Sequence, residues 1–81
     1  MVQVRFYGRL AEQIAPQTDV AVPKGATVGE LRSLIASRHP QLALDLASPL
    51  VRVCIGDTLV ADDFPIDQRE PVEFFAPVSG G

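Results

Sequence analysis

Thr27-Val28-Gly29-Glu30-Leu31-Arg32-Ser33-Leu34-Ile35-Ala36-Ser37-Arg38-His39-Pro40 is the stretch whose reading decides the fold. Thr27 and Glu30 stand in capping-box spacing, so the Thr27 hydroxyl accepts from the Glu30 backbone N–H while Glu30 reaches back to residue 27. Behind that cap, Val28, Leu31, Leu34 and Ile35 recur at helical spacing on one side, with Arg32, Ser33 and Ser37 largely on the other. Arg38 and His39 fall in the last turn, where the helix dipole favours cations, and Pro40 ends the helix. This main helix, about three turns long, must cover an apolar surface found elsewhere in the chain.

The flanking segments supply that surface as strands. Val2-Gln3-Val4-Arg5-Phe6-Tyr7 alternates, with Val2, Val4 and Phe6 on one face and Gln3, Arg5 and Tyr7 on the other. Gly8 breaks the run, and Leu10 and Ile14 at i,i+4 spacing mark a short helical turn ended before Pro16. Thr18 to Val22 is a second alternating strand, closed by Pro23-Lys24-Gly25. Residues 41–50 are apolar but short and proline-bounded, predicting a loop with one helical turn under the core. Val51 to Ile55 is another strand, and Gly56-Asp57 is a two-residue hairpin signal leading to a short strand around Leu59 and Val60. The stretch 62–71 is polar with two prolines and reads as a connector; Val72-Glu73-Phe74-Phe75 is the final strand. The expected architecture is α+β: a mixed sheet of four to five strands with the main helix packed on one face. The domain occupies residues 1–75, and residues 76–81 form an extended C-terminal tail ending in Gly-Gly.

Composition narrows the function. Eighty-one residues with 47% hydrophobic content make one small domain, whose core leaves little room for a catalytic cavity. Ten acidic residues against seven basic ones, with no basic cluster, argue against nucleic acid, which is bound through phosphate neutralisation. A lone cysteine excludes an internal disulfide and an all-cysteine metal site. No signal peptide, lipidation motif or apolar span of membrane length is present, so the expectation is a cytoplasmic protein without a membrane partner. Cys54 reads as a small hydrophobe rather than a sulfur relay, and His39 as a helix-end cation. The adjacent Asp62 and Asp63 fall far short of a calcium ligand set and read as solvated surface.

If the helix covers the face holding Val4, Phe6, Val53, Val72 and Phe74, then Arg5, Tyr7, Arg52, Cys54, Glu73 and Phe75 lie on the uncovered side. Phe75 stands immediately before the tail and is a candidate interface anchor. Six extended residues span at most about 20 Å, enough to enter a partner's cleft. Pro77 keeps the root of the tail stiff, while Gly80 and Gly81 suit a narrow channel and leave the α-carboxylate sterically bare. A terminal Gly-Gly arises by chance in roughly 0.5% of chains, so the residues around it must decide whether it is a tool.

The ending Phe74-Phe75-Ala76-Pro77-Val78-Ser79-Gly80-Gly81, the hairpin Val53 to Val60 and the opening Val4-Arg5-Phe6-Tyr7-Gly8-Arg9-Leu10-Ala11-Glu12 resemble the small-subunit family of molybdopterin synthase. This is the MoaD family within the ThiS/MoaD ubiquitin-like superfamily. The resemblance spans essentially the whole chain, and the ending is its specific part. It implies a β-grasp, ubiquitin-like fold and a sulfur carrier for molybdenum cofactor biosynthesis. Gly81 would be the reacting residue: adenylated by a ubiquitin-activating-type adenylyltransferase using ATP and Mg, then converted to a thiocarboxylate by a sulfur donor protein. Pro77, Val78, Ser79 and Gly80 would accompany it into the large synthase subunit, in a heterotetramer of two small and two large subunits. There the thiocarboxylate would deliver sulfur to cyclic pyranopterin monophosphate, building the dithiolene of molybdopterin. Phe75 would pack against the large subunit, with Leu59 and Tyr7 as further contacts. No cofactor or metal would be bound by this chain, which would be non-catalytic by itself.

Two departures stand out against the family pattern. Ala76-Pro77 replaces the usual pair of prolines, and Gln68-Arg69-Glu70-Pro71 replaces a common Asp-Gly-Asp-Glu, predicting a differently shaped turn because Arg69 takes positive φ less readily than glycine. Two rival functions use the same tail: a sulfur carrier for thiamine, tRNA thiolation or cysteine synthesis, and a ubiquitin-like protein modifier. A third, of another class, is a plain interaction domain with an inert tail.

Overall fold

The computed structural model describes residues 1–76. Strand β1 (Val2–Tyr7) is followed by the short helix α1 (Arg9–Gln13), strand β2 (Gln17–Val20) and the main helix α2 (Val28–Arg38). A 3₁₀ turn over Pro40–Leu42 leads into α3 (Ala43–Ala47), and the chain ends in β3 (Arg52–Ile55), β4 (Thr58–Leu59) and β5 (Val72–Phe75). The five strands lie in the order β2-β1-β5-β3-β4. The central pair, β1 and β5, is parallel, and the other three pairings are antiparallel.

Register turns the alternation into a core. Val4 opposes Val72 and Phe6 opposes Phe74 across the parallel pair, while Val53 opposes Phe74 and Ile55 opposes Val72 on the next strand. All are buried on one face, where α2 lays Val28, Leu31 and Ile35 over them. Phe6 and Phe74 meet with ring centroids 5.8 Å apart and a 34° tilt, within the range of favourable aromatic pairs. Leu42 and Leu46, on the 3₁₀ turn and α3, close the end of the core; they are the buried side of the apolar stretch 41–50.

The helix begins as its sequence requires. The Glu30 N–H donates to Thr27 Oγ1 at 3.2 Å, and the Thr27 N–H donates to Glu30 Oε1 at 3.1 Å. Two further first-turn donors are satisfied from the polar connector: the Val28 N–H by the Phe64 carbonyl at 3.0 Å, and the Gly29 N–H by the Asp62 carbonyl at 2.8 Å. Residues 62–71 therefore do more than span a gap, since they supply acceptors to helix donors that have no intrahelical partner. The hairpin is also as expected. Gly56 and Asp57 both take positive φ, 57° and 66°, which is the two-residue geometry that matches strand twist.

Two details differ from the sequence reading, and the 67–70 turn follows it. The second strand runs Gln17–Val20 rather than 18–22, leaving Val22 only half-buried. The 67–70 turn is closed without positive φ: the Glu70 N–H donates to the Asp67 carbonyl, and the Asp67 carboxylate accepts from both the backbone and guanidinium of Arg69. Helical spacing puts Arg32 largely on the outer side of α2, but it is folded inward, its side chain 16% exposed. Its guanidinium lies 5.9 Å from the Phe74 ring centroid, donates to the Leu46 carbonyl at 2.6 Å and pairs with Asp62 at 3.0 Å. The cause is that α3 and the connector rise beside α2 and offer acceptors there. Asp62 is thus an ion-pair partner rather than simple solvated surface, although its side chain stays 63% exposed.

Candidate functional site: the uncovered sheet face and the tail root

The strand registers fix what shares the uncovered face. One row across the sheet reads Arg5, Glu73, Cys54 and Leu59, and the next reads Tyr7, Phe75 and Arg52. Neighbouring strands lie about 4.8 Å apart, so Tyr7, Phe75 and Arg52 are adjacent, while Leu59 is two strands away from β5. Tyr7 and Phe75 are in direct contact. Their rings stack with centroids 4.6 Å apart and only 7° between planes. Both remain substantially open, Tyr7 at 39% and Phe75 at 36%.

The stack is held from below by charge. The Tyr7 hydroxyl donates to Glu73 Oε2 at 2.7 Å, and the same oxygen lies 3.9 Å from the Arg5 guanidinium. Arg5 in turn donates to Gln3 at 3.1 Å. The hydrogen bond to Glu73 is the main cause that raises the phenol pKa above its ordinary value, with smaller upward contributions from desolvation and the Glu73 charge. The two aromatics, ring face over ring face, form one pre-arranged apolar plate rather than two independent side chains. A pair of rings fixed against each other before contact loses little side-chain entropy on docking, which is the property of an interface anchor.

Of the residues singled out in the sequence, Tyr7 and Phe75 come together as this plate. Leu59 is exposed (61%) on the edge strand β4, on the same face but apart from the plate. Pro77, Val78, Ser79, Gly80 and Gly81 lie outside the described residues. Cys54 is half-buried on the same face. His39 caps the C-terminal end of α2, its N–H donating to the Ile35 carbonyl. Among the described residues no group of three or more His, Cys, Asp or Glu is placed to hold a metal ion, and no helix is long and apolar enough to cross a membrane.

Sequence reasoning missed Glu73 as the strut under Tyr7. The signal was present as a charged residue between two aromatics on β5, but only the parallel register with β1 gives it a role. In the sequence Gly8 is merely a strand break. In the structure it is the residue against which the tail root packs.

A mixed five-stranded sheet with parallel central strands and the main helix across one face defines a class: the ubiquitin-like β-grasp domains. SAMP1 from Haloferax volcanii matches with a TM-score of 0.81 at 24% identity, covering 99% of this chain and 98% of that one. A Pyrococcus furiosus chain assigned as subunit 1 of a molybdopterin converting factor matches with a TM-score of 0.83 at 21% identity, covering 95% and 97%. At these identities the likeness establishes the fold. Sequence goes further. The ThiS family profile matches residues 4–81, and the molybdopterin synthase sulfur carrier subunit of Escherichia coli (strain K12) is 30% identical over 81 residues, the whole of both chains. The chain belongs to the ThiS family and is a homologue of that carrier subunit.

Proposed function

We propose that this protein is the sulfur-carrier subunit of a molybdopterin synthase, with the α-carboxyl of Gly81 as its reacting group. A carboxylate is a poor electrophile. Transfer to the α-phosphate of ATP, releasing pyrophosphate, gives an acyl adenylate with a good leaving group. Sulfur at the sulfide level, brought by a donor, then displaces AMP and leaves a thiocarboxylate, a softer and stronger nucleophile than the group it replaces. ATP and Mg belong to the adenylating partner in this reading, and the groups that bind the pterin belong to the large subunit. Seated in that subunit, the thiocarboxylate delivers sulfur to cyclic pyranopterin monophosphate, and two such deliveries build the dithiolene. The role of this chain is to dock, aim and carry.

The observation that carries the reading is where β5 ends. Phe75 is the last strand residue and half of the exposed plate with Tyr7, and the residues that lead to Gly81 begin directly after it. A rigid anchor at the root of a short carrier arm limits the directions in which Gly81 can be presented. Thirty per cent identity over the whole length of a molybdopterin synthase carrier subunit favours that pathway over thiamine, tRNA thiolation or cysteine synthesis. The likeness to SAMP1 is a likeness of fold and favours no pathway.

Affinity capture with the full chain, followed by identification of what co-purifies, separates these readings. Recovery of a molybdopterin synthase large subunit supports the proposal. Recovery only of thiamine or tRNA-thiolation enzymes contradicts it. High-mass conjugates that vanish when Gly81 is deleted reassign the tail to protein modification.

A further inference from the structure

The last rung of the central parallel ladder lies one residue beyond the Tyr7–Phe75 pair. There the Ala76 N–H reaches the Tyr7 carbonyl at 3.4 Å, and the two chains part: Gly8 turns away into α1, while Ala76 leads into the tail. Gly8 makes its turn with φ 71° and ψ −140°, outside the left-handed well that Asn and Asp visit and close to a region that is essentially glycine's own. Its carbonyl is fixed as well, accepting from the Ala11 N–H at 3.1 Å. A Cβ on residue 8 would stand 2.9 Å from the Ala76 carbonyl oxygen, with the Ala76 carbonyl carbon and Cβ at 3.7 and 3.8 Å. The atoms it would strike belong to the backbone, which no rotamer change can move aside.

Ala76 also lines a depression of about 190 Å³ bounded by Leu10, Asp45, Leu50 and Val51, among others. A side chain at position 8 therefore meets Ala76 first, at the point where residues 77–81 begin. Resting on the carrier reading above, we infer that Gly8 is a positioning residue for Gly81: its bare α-carbon sets the direction in which the tail leaves the Tyr7–Phe75 plate. Docking and aiming are then separable. The plate decides whether a partner binds, and the Gly8–Ala76 contact decides where the carboxyl arrives once it has bound.

The test uses the full chain and an adenylating enzyme of the ubiquitin-activating type. Calorimetry gives the affinity without ATP, and single-turnover acyl-adenylate formation at saturating enzyme gives the rate. Gly25 provides the control, because it also has positive φ (84°) but an added Cβ there meets nothing within 4 Å. Gly25→Val therefore imposes backbone strain without touching the tail. Since a misplacement of about 1 Å can cost roughly 100-fold, Gly8→Val is expected to lose about 10-fold or more in rate while its affinity stays within about 3-fold of the parent. Gly8→Ala should show a smaller loss in the same direction, and it carries the test if Gly8→Val shows no cooperative melt. Gly25→Val should load at the parent's rate.

Loading of the folded Gly8 variants at the parent's rate would overturn the inference. So would an equal slowing in Gly25→Val, which would make strain and not tail direction the cause, or a loss confined to affinity. A parent chain that forms no adenylate at all sinks the carrier reading itself, and the role of Gly8 falls with it.

Discussion

Truncating Phe75 tests the plate as an anchor. The ring is 36% exposed in the free protein. For an aromatic side chain of about 200 Å², that fraction leaves about 70 Å² to be covered by a partner. At about 25 cal/mol per Å² this surface is worth about 2 kcal/mol on docking, which corresponds to roughly a 30-fold weaker complex for Phe75→Ala. The substitution also removes the stacked partner of Tyr7, leaving that ring free to move and adding an ordering cost to any residual binding. The core is spared, because Phe75 points to the uncovered face while Phe74 is the buried neighbour. Stability should fall by the area already covered in the free protein, about 2–3 kcal/mol, together with the stacking, about 0.5–1.5 kcal/mol. Calorimetric titration of the variant into the molybdopterin synthase large subunit, beside a thermal melt, measures both quantities. An unchanged affinity in a folded variant removes Phe75 from the interface. A loss of affinity that appears only where the melt shows the variant partly unfolded at the assay temperature would place its role in the fold.

Tyr7 is the chain's one tyrosine and there is no tryptophan, so tyrosinate absorbance reports it alone. Its midpoint should lie above the ordinary value and move down toward it in Glu73→Gln, because the hydrogen bond to Glu73 is the largest cause of the upward shift. The native state then keeps a proton that the unfolded chain releases, so this contribution to stability is complete below about pH 10 and is lost as pH rises through the folded value. A Glu73→Gln midpoint equal to the parent's would refute the strut. Thr27→Ala removes the hydroxyl that accepts from Glu30 at 3.2 Å and should cost about 1 kcal/mol, a drop of about 4–8 °C in Tm. An unshifted melt would show that the connector bonds from Phe64 and Asp62 hold the first turn without the box.

Local pattern carried much of the fold. The capping box, the period-two run Val2 to Tyr7 and the Gly56-Asp57 turn each depend on residues within one turn or one strand, so the sequence displays their physics directly. What it does not display is pairing at long range. Tyr7 and Glu73 are 66 residues apart, and nothing local says that β1 and β5 lie side by side and parallel. Without that register Tyr7 is a scattered exposed aromatic; with it, Tyr7 is half of a stacked plate. Arg32 failed for a related reason. Helical period places it away from the apolar side of α2, yet acceptors from Leu46 and Asp62, on other segments, draw it across Phe74. Gly8 shows the same limit at a turn, since its meaning depends on Ala76 arriving opposite. The candidate site was legible as a list of residues but not as an arrangement.

Intact mass of the full chain, recorded before and after incubation with an activating enzyme, ATP and a sulfur donor, bears most directly on the carrier chemistry. The expected result is the mass gain of a single oxygen-to-sulfur exchange, absent from a chain lacking Gly81 although that chain remains folded. No gain in the presence of partners shown to be active on another carrier, or an equal gain in the Gly81 deletion, would contradict it.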